Sequence, residues 1–179
     1  MKLALKLMMV GLVILSSFAL ESGSVQADSP GPYYATPSWD QTLPSATRFT
    51  VLSNFASAAV LDRETGLVWE KSPSPDAQSW ADARSACINK NVGGRRGWRL
   101  PSIQELTSLI DPSAQFPALP VGHPFANISL FAYWSASTDP DAPVVAWLVS
   151  LGSGVADTGG KATSNHTWCV RGGGPLDNY

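Results

Sequence analysis

Gly97-Trp98-Arg99-Leu100-Pro101-Ser102-Ile103-Gln104-Glu105-Leu106 is the stretch whose reading decides the fold. Ser102 followed three residues later by Glu105 is a capping box. The Ser hydroxyl can accept from an orphan amide at the helix start, and the Glu can reach back to the cap residue's own amide. Ile103, Leu106, Leu109 and Ile110 form an apolar ladder at helical spacing. Asp111-Pro112 ends it, because Pro pushes the residue before it out of helical geometry. The stretch therefore predicts a short helix entered through a Trp-bearing turn, with Trp98 and Leu100 in the core and Arg99 fixing the loop.

Working outward, Ser79 with Asp82 three residues on marks a second helix start, and Trp80, Ala83, Cys87 and Ile88 are expected on its inner face. Further upstream, Phe49-Thr-Val-Leu and Ala59-Val-Leu-Asp read as short strands. Asp62-Arg63-Glu64-Thr65-Gly66 is a hairpin connection, and Leu67-Val68-Trp69-Glu70 is its return strand, broken off by Ser72-Pro-Ser-Pro. Between the helices, Gly93-Gly94 stops the first, and Arg95-Arg96-Gly97 forms an exposed connection. Downstream, a Pro-rich loop over 111–128 precedes strands at 133–137, 144–151, 155–157 and 166–171. Two short helices between antiparallel strands make the fold class α+β.

The ends of the chain read differently. Lys2, Lys6 and the apolar run Leu7–Leu15, with Val25-Gln26-Ala27 at cleavage spacing, predict a secretory signal peptide over 1–27. No membrane span is expected once it is removed, because that run is too short to cross a bilayer. Residues 28–47 are rich in Pro and Ser and read as a linker or arm, leaving 48–179 as one domain. Without Lys2, Lys6 and Glu21 the balance is 10 basic against 13 acidic residues, a net charge of −3. That charge gives no reason to expect nucleic acid as a partner.

Cys87 and Cys169 are the only cysteines. In an exported chain an even pair is most simply a disulfide, here closing a loop of about 80 residues and contributing on the order of 4 kcal/mol. Two free thiols or a metal pair are the alternatives, but two Cys and two distant His show no ligand spacing.

Taken together, Thr65-Gly66-Leu67-Val68-Trp69-Glu70-Lys71, the Gly97–Leu106 stretch, Trp134-Ser135-Ala136-Ser137 and Cys169-Val170-Arg171-Gly172-Gly173 resemble one family, the C-terminal domain of the Legionella collagen-like adhesin (Lcl). The resemblance implies a C-type lectin-like fold in a bacterial extracellular module. A Cys on the first helix bonded to one on the last strand fits it. The Glu-Pro-Asn and Trp-Asn-Asp motifs of calcium-dependent lectins are missing, as is a second internal disulfide, so calcium-dependent sugar chelation is not carried over. The formylglycine-generating enzymes share the broad fold but use cysteines for chemistry, and here both are claimed by the disulfide.

What remains is a search for sites. His123 and His166 are the only histidines, and no nucleophile elbow accompanies them, so no catalytic residue is expected. Asp139 and Asp141 lack the spacing of a calcium loop and read as a turn, so no metal or cofactor is expected. Most of the seven tryptophans are expected in the core. The sequons at Asn127 and Asn165 are expected to be empty in a bacterial protein. Lys90, Arg95 and Arg96 form the basic cluster, and guanidinium groups fit sulfate and carboxylate bidentately. The expectation is a secreted or periplasmic binding or adhesion module, with an extracellular anionic polysaccharide as ligand or an envelope protein as partner.

Overall fold

The computed structural model describes residues 43–172, so the expected signal peptide and most of the expected arm lie outside the described residues. The architecture is α+β. A one-turn helix α1 (Ser45–Arg48) leads into β1 (Phe49–Val51), β2 (Ala59–Asp62), β3 (Val68–Glu70) and β4 (Ser74–Gln78). The two main helices follow, α2 (Trp80–Asn89) and α3 (Ile103–Ser108). Five strands close the chain: β5 (Ala132–Thr138), β6 (Val145–Ser150), β7 (Ala156–Gly160), β8 (Asn165–Thr167) and β9 (Val170–Arg171).

The strands form two sheets, ordered β1-β2-β3-β9 and β4-β8-β5-β6-β7. All pairings are antiparallel except β5 with β8, which meet in parallel at Tyr133 and His166. The hairpin at 62–66 forms as expected, with Gly66 at φ 69° where a side chain would be strained.

Three expectations change in the folded chain. Ser74–Gln78 is a strand, although its Pro75 argued for a break; it lies at a sheet edge, where a missing amide is tolerated. Residues 166–171 do not make one strand. They divide between the two sheets as β8 and β9, with fully buried Trp168 and Cys169 at the joint. Ile88 is 60 % exposed: α2 buries only the narrow stripe of Ala83 and Cys87.

That joint organises the core. Cys87 on α2 is disulfide-bonded to Cys169, so the helix is tied to the crossing point of the sheets. Glu70 at the end of β3 is pinned there as well. Its carbonyl accepts from Trp168 Nε1 at 2.8 Å, and its carboxylate accepts from the Cys169 amide at 2.9 Å. One apolar cluster lies among α3 and both sheets, around Trp69, Leu106, Tyr133, Val149 and Trp168. A second surrounds the disulfide with Phe55, Ala83, Trp98, Leu100 and Trp134. Trp69, Trp98, Trp134 and Trp168 are core, as expected; Trp80 and Trp147 are only half-buried.

Candidate functional site

The opening stretch folds as its residues dictate. Ser102 Oγ accepts from the Glu105 amide, and a Glu105 carboxylate oxygen accepts from the Ser102 amide, completing the capping box. The same carboxylate receives Arg99 in a fork, both nitrogens at 2.7 Å, and Arg99 also donates to the carbonyls of Leu100 and Gly172. Arg99 therefore fixes the loop, the α3 start and the backbone at Gly172 in one arrangement.

The basic residues are placed less uniformly. Lys90, just past α2, reaches Glu70 with Nζ–Oε1 at 2.7 Å, and that carboxylate is nearly fully buried. Its charge is matched internally. Arg95 and Arg96 sit in the exposed turn closed by the Val92–Arg95 bridge, and neither has a carboxylate partner among the described residues. Arg95 lies over the Phe55 ring at 5.3 Å. Arg171, on β9, lies over the same ring at 5.9 Å, a neighbour that sequence reasoning did not assign to this cluster. No local signal could have found it, because the two arginines are far apart in sequence and come together over the Phe55 ring only when the chain folds. The turn packs tightly on that segment. A Cβ at Gly93 would lie 2.2 Å from the Phe55 carbonyl oxygen, so no larger residue fits.

The histidines do not face one another. Between them run Phe125, Trp168 and Tyr133, each ring within 4.8–5.8 Å of the next. His166 Nε2 is 2.9 Å from Ser129 Oγ, which also accepts from the Phe131 amide, so the hydroxyl closes a local turn. No carboxylate hydrogen-bonds either imidazole among the described residues. Burial lowers the pKa of both rings; for His166, the Asp76 charge and the Pro75 carbonyl pull the other way. Burial also pushes the Tyr133 hydroxyl up to about 12, while the Ser129 amide bonded to it opposes the shift.

Asp139 accepts from the Asp141 amide at 2.9 Å, the Asx turn its sequence suggested. Among the described residues no three His, Cys, Asp or Glu side chains gather as metal ligands would, and no helix is long and apolar enough to cross a membrane.

The fold defines an α+β module of antiparallel strands and short helices with one disulfide. The family model for the Lcl C-terminal domain matches residues 58–171, and the chain belongs to that family, which suggests an adhesin-like module. No curated protein matches the chain. A buried disulfide in such a domain fits an oxidising, extracellular or periplasmic setting.

Proposed function

We propose that this protein is an exported, non-catalytic adhesion module that takes an anionic extracellular polysaccharide on the Arg95–Arg96 turn, with Arg171 alongside and without calcium. The observation that carries the reading is the contrast between partnered and unpartnered cations. Lys90 is matched by Glu70, while Arg95 and Arg96 face solvent with no carboxylate partner among the described residues. Two exposed guanidinium groups on a rigid turn suit sulfate or carboxylate groups spaced along a polymer. The C-type lectin-like arrangement belongs to this proposal too, supported by the two main helices, the antiparallel strands and the bond from α2 to the residue before β9. So does secretion through the signal peptide read over 1–27.

A second reading is a structural envelope component that docks another protein. The observation behind it is apolar: Phe116 and Phe131 are 70 % and 75 % exposed, near half-exposed Leu130. The three are drawn together because the Phe116 amide donates to the Gly152 carbonyl and the Gly152 amide to the Leu130 carbonyl.

The test is binding to a heparin-like polymer across a salt series, with and without a calcium chelator. Exposed charge contacts are screened within about 8–10 Å at ordinary ionic strength, so affinity should fall steeply with salt and ignore the chelator. Arg95→Ala with Arg96→Ala should abolish most binding while leaving the Tm almost unchanged. Binding that requires calcium, or that is indifferent to salt and to the double variant, transfers the assignment to the envelope component.

A further inference from the structure

The turn between β6 and β7 gathers a second surface, separate from the arginine turn and free of charge. The Phe116 amide donates to the Gly152 carbonyl, the Gly152 amide to the Leu130 carbonyl and the Leu151 amide to the Phe131 carbonyl, so three loops meet at one tip. They are pressed together: a Cβ at Gly152 would lie 2.8 Å from the Leu130 carbonyl oxygen, and one at Gly154 2.8 Å from Ile110 Cγ2. Phe116, Phe131 and Val155 project from the tip, 70 %, 75 % and 58 % exposed, with Leu130 beside them at 43 %. Phe116 sits at φ 57°, a region that a bulky residue enters only when its surroundings force it. The fold holds this residue in strain and leaves its ring in solvent, the reverse of what core packing would favour. Phe131 stacks on half-buried His166, with centroids 6.1 Å and planes 12° apart.

Two properties say what such a tip fits. The first is charge. No Asp, Glu, Lys or Arg occurs from Pro112 to Thr138 or from Ala142 to Ala156, the stretches that supply all three loops. The carboxylates at the borders of these stretches are engaged locally: Asp111 accepts from the Ser113 amide and hydroxyl, and Asp157 from the Thr158 amide. Burial keeps the imidazole against Phe131 neutral at neutral pH, against the pull of the Asp76 charge and the Pro75 carbonyl. The second property is hydrogen bonding. The amides of Phe116, Phe131, Leu151, Gly152, Gly154 and Val155 all donate internally, those of Phe131 and Val155 to the hydroxyls of Ser129 and Ser153. Backbone closed on itself in this way offers little to a protein partner, whose interfaces carry about one hydrogen bond per 100–200 Å². It is what a lipid surface demands, because an unpaired amide finds no partner there. Phenyl and leucyl side chains on such a frame suit the boundary between headgroups and acyl chains.

We infer that this tip seats the protein on the surface of a phospholipid bilayer, with Phe116 and Phe131 inserted among the headgroups and Leu130 and Val155 beside them. The inference is independent of the polysaccharide reading, and it gives to a bilayer the surface that the second reading gives to an envelope protein. With so few side chains inserted, binding should be reversible and no tighter than the roughly 10⁴ M⁻¹ of a single myristoyl chain.

The test is flotation of the chain recovered after export, its N-terminus fixed by mass spectrometry, with phosphatidylcholine vesicles across a lipid series and a salt series. The wild type should float with the vesicles, and equally at low and high salt, because no charge contact is there to be screened. Phe131→Ser and Phe116→Ser should each weaken partitioning about tenfold, the effect of burying one aromatic side chain. Together they should remove it, with the Tm almost unchanged. Arg95→Ala with Arg96→Ala should float like the wild type. Phe131→Trp serves if a serine variant fails to fold: its indole emission, taken as the difference from wild type, should shift to the blue with vesicles and be quenched by brominated lipid. Absence of flotation, flotation abolished by salt, or flotation unaltered in the folded double serine variant overturns the inference. Where flotation is absent, concentration-dependent dimerisation that the double serine variant loses assigns the tip to a second copy of the chain. Absence of dimerisation as well returns the tip to the envelope-protein reading.

Discussion

Arg48 and the Arg95–Arg96 pair show what one side chain does in two surroundings. Arg48 is almost wholly buried. It bonds Asp62 through two nitrogens at 2.8 and 2.9 Å, meets Glu64 at 3.1 Å and donates to the Ser108 carbonyl at the end of α3. It thereby joins the first sheet to α3. Arg95 and Arg96 are exposed and lack carboxylate partners among the described residues. Burial of a charge is tolerable only with full pairing, so a buried arginine is committed to the fold. An exposed one costs the fold little either way and stays free for a ligand. Arg99 stands between the two: part-exposed, yet forked onto Glu105.

The comparison can be broken most forcefully at its buried end. Arg48→Ala leaves two carboxylates buried without a cation and should cost about 3–5 kcal/mol in urea unfolding. A loss below about 1 kcal/mol would put Arg48 in the same class as the exposed pair. Next comes Cys87→Ser, which removes the tie between α2 and the sheet joint. It should cost about 2–5 kcal/mol, with reduction of the wild type giving a matching loss. Ser102→Ala removes one half of the capping box beside Arg99 and should cost about 1 kcal/mol by the same measurement.

The smallest effect is a pH dependence. His123 and His166 both have pKa values lowered by burial in the folded state. The unfolded chain binds more protons below the ordinary imidazole value of about 6.5, so their contribution is present above it and is lost as pH falls through the lowered folded values. Tm should drop between neutral and mildly acidic pH, and His123→Gln with His166→Gln should flatten that part of the profile. A slope unchanged in the double variant would show that the two imidazoles do not set the acid sensitivity.

Much of the fold was legible because its signals are local. The Ser102–Glu105 box, the hairpin at 62–66 and the strands on either side of it depend on neighbours within a few residues. Cys87 and Cys169 could be paired without a structure because they are the only two cysteines. Helical periodicity cannot say how much of a helix face the sheet covers, and α2 buries only Ala83 and Cys87 while Trp80 is half-buried and Ile88 exposed. The candidate site was legible only in part. Arg95 and Arg96 stand out as a basic turn, and Arg99 was read as the loop-fixing residue that its bonds to Glu105 and Gly172 make it. The sequence placed Lys90 with them, because nothing nearby announces that Glu70 will take its charge.

By itself the sequence determined the helix starts, the disulfide and most of the large core rings, since caps and apolar periodicity act over one or two turns of chain. By contrast, α2 and α3 stop at Asn89 and Ser108, ahead of the Gly93-Gly94 and Asp111-Pro112 breakers that the sequence offers. Only the tertiary structure decided that residues 166–171 divide between two sheets, that Arg171 shares the Phe55 ring with Arg95, and that Phe116, Leu130 and Phe131 gather at one tip. Those outcomes depend on which distant surfaces can bury apolar area together and pair every buried charge. That selection is made by the whole chain at once, and no short window contains it.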